Sequence, residues 1–183
     1  MNTAPPPHCD YDVVIVGGAM SGAATALVLL RDQPKLRVLI VEKSTAFGRR
    51  VGEATVEISG YFLCRVLGLT QHLNEAHFVK QGMRFWFANP QTQSLAACSE
   101  IGGRYLARVP AFQVDRAVLD EEILRRAVAA GAKVWRPASA GRVQLNPGGA
   151  QSIEVRHQEQ TRTVSARWMV DASGVAALLA PNQ

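Results

Sequence analysis

YDVVIVGGAMSGAATALVLL at residues 11–30, followed by RVLIVE at residues 37–42, decides the fold of this chain. Residues 11–16 form a short β-branched apolar run, which is typical of a buried parallel strand. A glycine turn at Gly17–Gly22 and a helical pattern without charges follow, and a second apolar strand ends on Glu42. This order of strand, turn, helix, strand and acid predicts a unit that holds a dinucleotide.

Each part of this unit has a physical role in such a site. Gly17 permits the tight turn and Gly22 allows the helix to pack closely on the strand, while the helix N-terminus offers N–H groups to a pyrophosphate. Glu42 comes about twenty residues after Gly22, where a carboxylate accepts hydrogen bonds from a ribose. The residues that we assign to the cofactor here are Gly17, Gly18, Ala19, Ser21, Gly22, Glu42 and Lys43.

One position departs from the dinucleotide fingerprint. Ala19 stands where the middle glycine lets the backbone approach the pyrophosphate, and its methyl group adds a modest steric penalty. The alternative to a nucleotide site is a membrane segment, since Val13–Leu30 carries no charge. That run is rich in Gly, Ala and Ser and has no basic residue before it, so we expect neither a membrane span nor a signal peptide.

Composition and charge describe an ordinary globular protein. The 183 residues are 48% hydrophobic and 19% charged, with a net charge of +5. The basic residues form no cluster with interleaved aromatics, which argues against nucleic-acid binding. Three widely spaced cysteines and four scattered histidines suggest no disulfide framework and no metal site, and they fit a reducing, cytoplasmic location.

The rest of the chain reads as alternating elements. A loop at 43–51 precedes a helical pattern in which Ile58, Phe62 and Val66 share one face, with Leu63 and Leu67 beside it. The further expected elements are a helix at 69–78, strands at 83–88 and 94–98, a helix at 115–130 whose face is lined by Leu119, Ile123 and Ala127, a strand at 132–136, and a β-meander over 141–171. We expect Trp86, in the first of the two strands before the long helix, to be a core residue.

The long interval before the third parallel strand bears on the choice of cofactor. In an NAD domain that strand usually follows the second after one short crossover, whereas here residues 42–131 intervene. Such an excursion favours FAD, whose domains commonly carry a substrate-facing insertion at this point. We therefore expect a disordered tail at 1–10 and an FAD-binding domain at 11–183 with an insertion at about 43–113.

Several motifs resemble those of a known family. Besides the glycine turn and Glu42, these are RRVGEAT at residues 49–55, VDR at 114–116, and VDASG at 170–174. In this order they resemble the flavin monooxygenase superfamily, and within it most closely the flavin-dependent halogenases. The resemblance implies an α/β fold of the glutathione-reductase-like, Rossmann type, with a parallel sheet and a β-meander, incomplete at the C-terminus.

The resemblance also implies further cofactor contacts. In addition to the glycine turn, these are Arg49, Arg50, Glu53, Ala54, Arg116, Asp171 and Gly174. An arginine of the 49–50 pair would lie near the pyrophosphate or ribityl chain, and residues 52–55 would form a strap beside the flavin ring. Two alternatives stay open: Arg49 and Arg50 as solvated loop charges, and Asp171 as an acid that caps a turn.

Lys80 is the candidate catalytic residue. The resemblance implies a lysine after the strap that hydrogen-bonds hypohalous acid, and Lys80 stands at about that position in FVKQGM, residues 78–83. The alternative is an ordinary surface lysine. Halogenase motifs that carry a tryptophan and a distal glutamate are absent from these 183 residues.

The resemblance implies an oxidoreductase in which reduced FAD and oxygen halogenate or hydroxylate a small organic substrate. A separate flavin reductase is a further candidate partner, and we expect neither nucleic acid nor membrane as a partner. Two other functions stay open: an FAD-dependent reductase of the geranylgeranyl reductase type, and an inactive FAD-binding remnant. Because the resemblance covers only the N-terminal portion of such oxidoreductases, we expect this chain alone to be a truncated form that lacks a complete active site.

Overall fold

The computed structural model describes residues 9–103 and 108–179. The chain divides into two compact units, Met1–Arg49 with Ala117–Gln183, and Arg50–Arg116. We call the first the sheet unit and the second the inserted unit. Most of the expected tail, residues 1–8, lies outside the described residues.

Ten strands and four α-helices are assigned over the described residues. In chain order they are β1 Tyr11–Val16, α1 Met20–Asp32, β2 Val38–Val41, α2 Glu57–Tyr61, α3 Thr70–Ala76, β3 Phe78–Lys80, β4 Arg84–Phe87, β5 Ser99–Gly102, β6 Ala111–Gln113, α4 Arg116–Ala129, β7 Lys133–Trp135, β8 Ala138–Gln144, β9 Gln151–His157 and β10 Gln160–Asp171. A π-helix, Phe62–Val66, continues α2, and 3₁₀ turns occur at Leu95–Ala97 and Gly174–Ala176.

A six-stranded sheet in the order β7-β2-β1-β10-β9-β8 forms the sheet unit. The first four strands are parallel, and β10, β9 and β8 are antiparallel neighbours. Val13–Val16 and all of β2 are buried, as expected for strands covered on both faces. The prediction of a parallel sheet extended by a β-meander is confirmed.

The two long helices of the chain follow the expected pattern. Helix α1 buries its small and apolar residues, including Gly22, Ala23 and Leu27. In α4, Leu119, Ile123 and Ala127 are each fully buried, which matches the predicted apolar face. Among the described residues no helix combines the length and apolar character that a membrane crossing requires.

The folded domain begins slightly before residue 11, the start that the sequence predicts. Cys9 is buried, and the Asp10 carboxylate accepts hydrogen bonds from the amide and hydroxyl of Ser165 at 2.8 and 2.7 Å. Asp10, which we expected in a disordered tail, is therefore joined to β10, and the Cys9 carbonyl accepts a hydrogen bond from Arg37 at 2.8 Å. A polar Asp preceded by a lone Cys carries no periodic signal, so the sequence pattern could not show this contact.

The inserted unit contains two short antiparallel pairs, β3 with β6 and β4 with β5. Its apolar interior includes the buried side chains of Leu63, Leu67, Leu69, Leu73 and Phe112. The predicted helical face is not the buried one here: Ile58 is 78% exposed, and Phe62 and Val66 are about two-fifths exposed. The buried side is instead the neighbouring one, which carries Leu63 and Leu67. The helix ends in a π-turn, in which the Leu67 amide bonds the Phe62 carbonyl five residues back.

The second strand predicted in this unit lies elsewhere. Residues 94–98 form a 3₁₀ turn, with the Ala97 and Cys98 amides bonded three residues back, and the returning strand is β5. Trp86, expected in the core, is 45% exposed on β4. The run of aromatic residues at 85–87 predicted the first strand but could not show that both faces of this pair are exposed.

Candidate functional site

The glycine turn lies between β1 and α1 and leaves no room for side chains at two positions. Gly17 has φ +103°, and a Cβ there would lie 2.3 Å from the Ala172 carbonyl oxygen. A Cβ at Gly22 would lie 1.9 Å from the Gly17 carbonyl oxygen. Both roles predicted for these glycines, the tight turn and the close packing of helix on strand, are therefore visible in the backbone.

Helix α1 begins directly at this turn. Its N-cap residue, Ala19, has an extended backbone, and no side chain caps the helix. The first-turn N–H groups and the helix dipole therefore point outward with no competing side-chain acceptor from the cap residue. Ser21 is exposed in this first turn. This arrangement suits an anionic group such as a pyrophosphate.

Glu42 ends β2 beside the turn and is 5% exposed. Its Oε2 accepts a hydrogen bond from the Gly18 amide at 2.7 Å, and its Oε1 accepts one from the Ser44 amide at 2.8 Å. A Cβ on Gly18 would approach the Glu42 Cβ to 3.0 Å, so the two residues are in close contact. Each carboxylate oxygen keeps a second acceptor position, which a ribose hydroxyl can use.

A cavity of about 620 Å³ lies beyond the carboxyl ends of β2 and β7. It is lined by Lys43, Pro137, Ala138, Ser139, Arg156, Gln158 and Glu159. The Ala138 amide donates a hydrogen bond to the Glu42 carbonyl at 2.7 Å, which joins the cavity wall to the acid. In open α/β sheets, ligands bind at the carboxyl ends of the strands.

Asp171 ends β10, the strand on the other side of β1. Its Oδ1 accepts hydrogen bonds from the Ser173 amide and hydroxyl, and its Oδ2 accepts one from the Leu179 amide. Burial raises the pKa of the Asp171 carboxyl, but these hydrogen bonds outweigh burial and hold the pKa below its ordinary value. Gly174, with φ +70°, lies within the loop that Asp171 closes. These contacts favour the turn-capping alternative for Asp171.

A network that sequence analysis missed fixes the loop after Glu42. Arg136 donates two hydrogen bonds to the Glu121 carboxylate, both at 2.8 Å, and one to the Ser44 carbonyl at 2.7 Å. Its guanidinium lies 4.2 Å from the centre of the buried Phe47 ring, whose amide donates to Glu121 at 3.0 Å. These contacts hold residues 44–47 against α4 and β7. In the sequence, the one sign of this network was Phe47, an isolated aromatic residue in a polar loop.

Arg49 and Arg50 follow this loop and are exposed, as is Lys43. The division into units falls between the two arginines. Their exposure is compatible with either alternative, binding to an anionic cofactor or simple solvation.

The predicted strap, residues 52–55, is fixed by hydrogen bonds within the inserted unit. The Glu53 carbonyl accepts a hydrogen bond from the Val114 amide at 2.8 Å, and Ala54 forms a bridge with Gln113. The Thr55 hydroxyl both donates to the Phe112 carbonyl and accepts from the Phe112 amide, at 2.9 and 2.7 Å. The strap therefore runs alongside β6 and its continuation.

Arg116 lies at the start of α4 and is only 9% exposed. Its Nη1 donates to the Val51 carbonyl at 3.2 Å, and a Cβ on Gly52 would lie 3.0 Å from the same nitrogen. With φ +99°, Gly52 adopts a conformation that suits glycine. The structure thus brings Arg116 to the beginning of the strap, a contact that the sequence did not predict.

Lys80 ends β3, where it pairs with Ala111 of β6, and its side chain is half-buried. Phe78 and Val79 of the same strand are exposed. The structure places Lys80 in the same small sheet that supports the strap.

Together these observations define a class of protein. A capless helix N-terminus at a glycine turn, with a buried acid at the end of the next parallel strand, is a dinucleotide-binding site of the Rossmann type. The residues fit the ADP half of FAD, because the uncapped N-terminus of α1 suits a pyrophosphate and the Glu42 carboxylate keeps acceptor positions that suit a ribose.

The sequence model of the FAD dependent oxidoreductase family matches residues 12–181. The chain therefore belongs to this family, whose cofactor is FAD. It is 24% identical to the flavin-dependent halogenase chlA of Dictyostelium discoideum over 90% of this chain and 31% of that protein. It is 28% identical to the proposed FAD-dependent oxidoreductase LodB of Marinomonas mediterranea, over 90% of this chain and 43% of that protein.

Solved structures show the same fold. The flavin-dependent brominase Bmp2 matches 92% of this chain with a TM-score of 0.76 at 24% identity, over 39% of its own length. The halogenase PltM, in a complex with phloroglucinol and FAD, matches 88% of this chain with a TM-score of 0.69. The chain spans less than half the length of the curated relatives and solved structures named here.

Proposed function

We propose that this chain is the FAD-holding portion of a halogenase-type oxidoreductase that acts on a small organic molecule. The contact of Glu42 with the Gly18 amide carries the proposal, because it places a buried acceptor beside an open helix N-terminus. Similarity to proteins named as halogenases and a brominase supports the reaction class.

The sheet unit would hold the ADP half of FAD. The amides at the start of α1 would bind the pyrophosphate, and the free acceptor positions of Glu42 would bind the adenosine ribose. The cavity beside Lys43 and Ala138 has the volume to take the adenine ring. The Arg136 network would keep the loop that leads to Arg49 in place.

The inserted unit would serve the flavin and substrate end. When FAD is bound and reduced, its chemistry with oxygen would lead to hydroxylation of the substrate or, if a halide is present, to halogenation. Arg116 would orient the strap, and the strap would exclude water at the cofactor. Lys80 would donate a hydrogen bond from its ammonium group to hypohalous acid and direct it toward the substrate.

A second candidate is an FAD-dependent oxidoreductase that catalyses another reaction. It is supported by the 28% identity to LodB, which is named only as an FAD-dependent oxidoreductase. In the proposal, a separate flavin reductase is a further candidate partner, which would supply the reduced flavin. A cytoplasmic location remains a prediction, supported by three free cysteines.

Titration of the purified chain with FAD, followed by flavin fluorescence, tests the proposal. We expect saturable binding of FAD and none of NADP, because Glu42 repels a 2′-phosphate. Binding of NADP without flavin uptake would overturn the proposal. A chain that is folded by circular dichroism and binds neither would identify an inactive remnant.

A further inference from the structure

His77 lies between α3 and β3 in the inserted unit, and it is not among the residues assigned to the proposed FAD site. The side chain is 8% exposed, and its Nδ1 accepts a hydrogen bond from the Asp115 amide at 3.1 Å. Asp115 lies directly before Arg116. A buried imidazole thus fixes the backbone next to a residue that we assign to the cofactor.

This hydrogen bond defines the state of the ring. An imidazole nitrogen that accepts a hydrogen bond carries no proton, so neutral His77 has its proton on Nε2. That nitrogen is buried and has no hydrogen-bond partner among the described residues. The His77 ring meets the His72 ring edge to face, with centroids 5.1 Å apart and an angle of 76°. The ring is packed in one orientation, which aims Nδ1 at Asp115.

The contact continues a short sheet. In the pairing of β3 with β6, Phe78 is opposite Gln113, and the last pair is Lys80 with Ala111. The His77 side chain bonds the Asp115 amide just beyond the Phe78–Gln113 pair. It therefore joins the segment that leads to Arg116 to the strand that ends at Lys80.

We propose that neutral His77 is a positioning residue, which holds the Arg116 segment against the strand that carries Lys80. The inference rests on the proposed function, in which Arg116 and Lys80 serve the flavin end of the site. Protonation of Nδ1 would place an N–H against the Asp115 N–H and break the bond. The site would therefore loosen in acid.

The groups around His77 set the direction of this response. Burial lowers the pKa of His77 below its ordinary value of 6.5, the charge of His72 lowers it further, and Asp115 raises it. The other charged residues of α3, of β3 and of the segment that leads into α4 are Lys80, Arg116 and the exposed Glu75. Because the pKa of His77 is lowered in the folded state, its hydrogen bond with the Asp115 amide is present above pH 6.5. The bond is lost as the pH falls through the folded pKa.

The test compares three variants of the full chain. His77→Asn keeps an acceptor near the Nδ1 position but cannot titrate, and His77→Leu fills the space without an acceptor. His157→Asn removes a histidine of the sheet unit and serves as the control. NMR records the chemical shift and hydrogen-exchange protection of the Asp115 amide against pH, and flavin fluorescence records FAD affinity.

In the wild type and in His157→Asn we expect the Asp115 amide to titrate below pH 6.5, and in His77→Asn we expect it to stay protected without titrating. His77→Leu should lose protection and weaken FAD binding by about fivefold, the scale of one lost hydrogen bond. An Asp115 amide that titrates equally in His77→Asn would overturn the inference, as would unchanged FAD affinity in a folded His77→Leu. If His77→Leu does not fold, the wild-type and His77→Asn titrations decide. A wild type that shows the amide titration but binds no FAD would contradict the proposed function, while the role of His77 in holding the Asp115 amide would still be supported.

Discussion

Glu42 binds the Gly18 amide through Oε2 at 2.7 Å while its Oε1 binds the Ser44 amide, so one buried carboxylate connects the glycine turn to the loop after β2. The carboxylate therefore shapes the turn, and under the proposed function its remaining acceptor positions would bind a ribose. Removal of the carboxylate affects both, and a conservative substitution separates them.

Glu42→Ala should weaken FAD binding by about 1–2 kcal/mol, the scale of lost hydrogen bonds to a buried carboxylate. Glu42→Gln keeps one amide acceptor and should weaken binding less. Fluorescence titration measures both, and Glu154→Ala, at an exposed acid of β9, is the control. Equal FAD affinity in Glu42→Ala and the wild type would exclude Glu42 from the site.

The glycine turn yields a second prediction. Gly22→Ala should lower the free energy of unfolding by about 3 kcal/mol or more, because the new methyl group would collide with the Gly17 carbonyl, a backbone atom that cannot rotate away. Gly48→Ala is the matched control, since a Cβ there meets no atom within 4 Å. Thermal unfolding by circular dichroism compares them. Equal stability of the two variants would mean that the turn is more open than the structure shows.

Local sequence signals predicted the sheet and the turn because both depend on residues close together in the chain. Gly17, Gly22 and Glu42 fall at spacings that backbone geometry imposes, so their positions could be read from the pattern. The contacts of His77 with Asp115 and of Glu121 with Arg136 join distant segments, and no period or motif marks them. The exposure of the β4–β5 pair was not predicted either, because the consecutive aromatics of β4 indicate a strand but not whether its faces are covered.

The Glu121–Arg136 pair should make stability depend on acid. Hydrogen bonds from Arg136 hold the pKa of Glu121 below its ordinary value of 4.5 against the opposing effect of burial. Because the folded pKa is lowered, the stabilisation is present above pH 4.5 and is lost as the pH falls through the folded pKa. Glu121 is 43% exposed, so solvent screening limits the effect to about 1 kcal/mol or less.

Glu121→Gln should therefore lose up to about 1 kcal/mol at pH 7 and should show a flatter decline in stability below pH 4.5. Urea unfolding at several pH values measures this, with Glu154→Gln as the control. Glu122, whose pKa the Arg125 and Arg126 hydrogen bonds lower to about 2 against burial, keeps its own acid dependence in both variants. An unchanged pH profile in Glu121→Gln would show that the pair contributes no net stability.

The β4–β5 pair should make the isolated chain self-associate. Phe85, Trp86, Phe87 and Ile101 are each 45–63% exposed, and both strands have a free edge. Trp86→Lys should reduce self-association as measured by sedimentation velocity. Gln160→Lys, which adds the same charge at an exposed position of β10, should not. A wild-type chain that sediments as a monomer at all concentrations would contradict this prediction.

Under the proposed function, a substitution of Lys80 would distinguish halogenation from hydroxylation. The test uses a longer protein in which this chain is joined to a region equivalent to the remainder of its relatives. There Lys80→Ala should abolish or reduce halogenated product by about 10²–10⁴-fold, the contribution of one positioned acid. FAD binding and oxygen consumption should persist, because Lys80 lies outside the glycine turn and the strap. Lys35→Ala, at an exposed lysine before β2, is the control, and product is measured by mass spectrometry with chloride or bromide present. A wild type that forms only hydroxylated product under these conditions would exclude the halogenase reaction, and loss of FAD from Lys80→Ala would make Lys80 a structural residue.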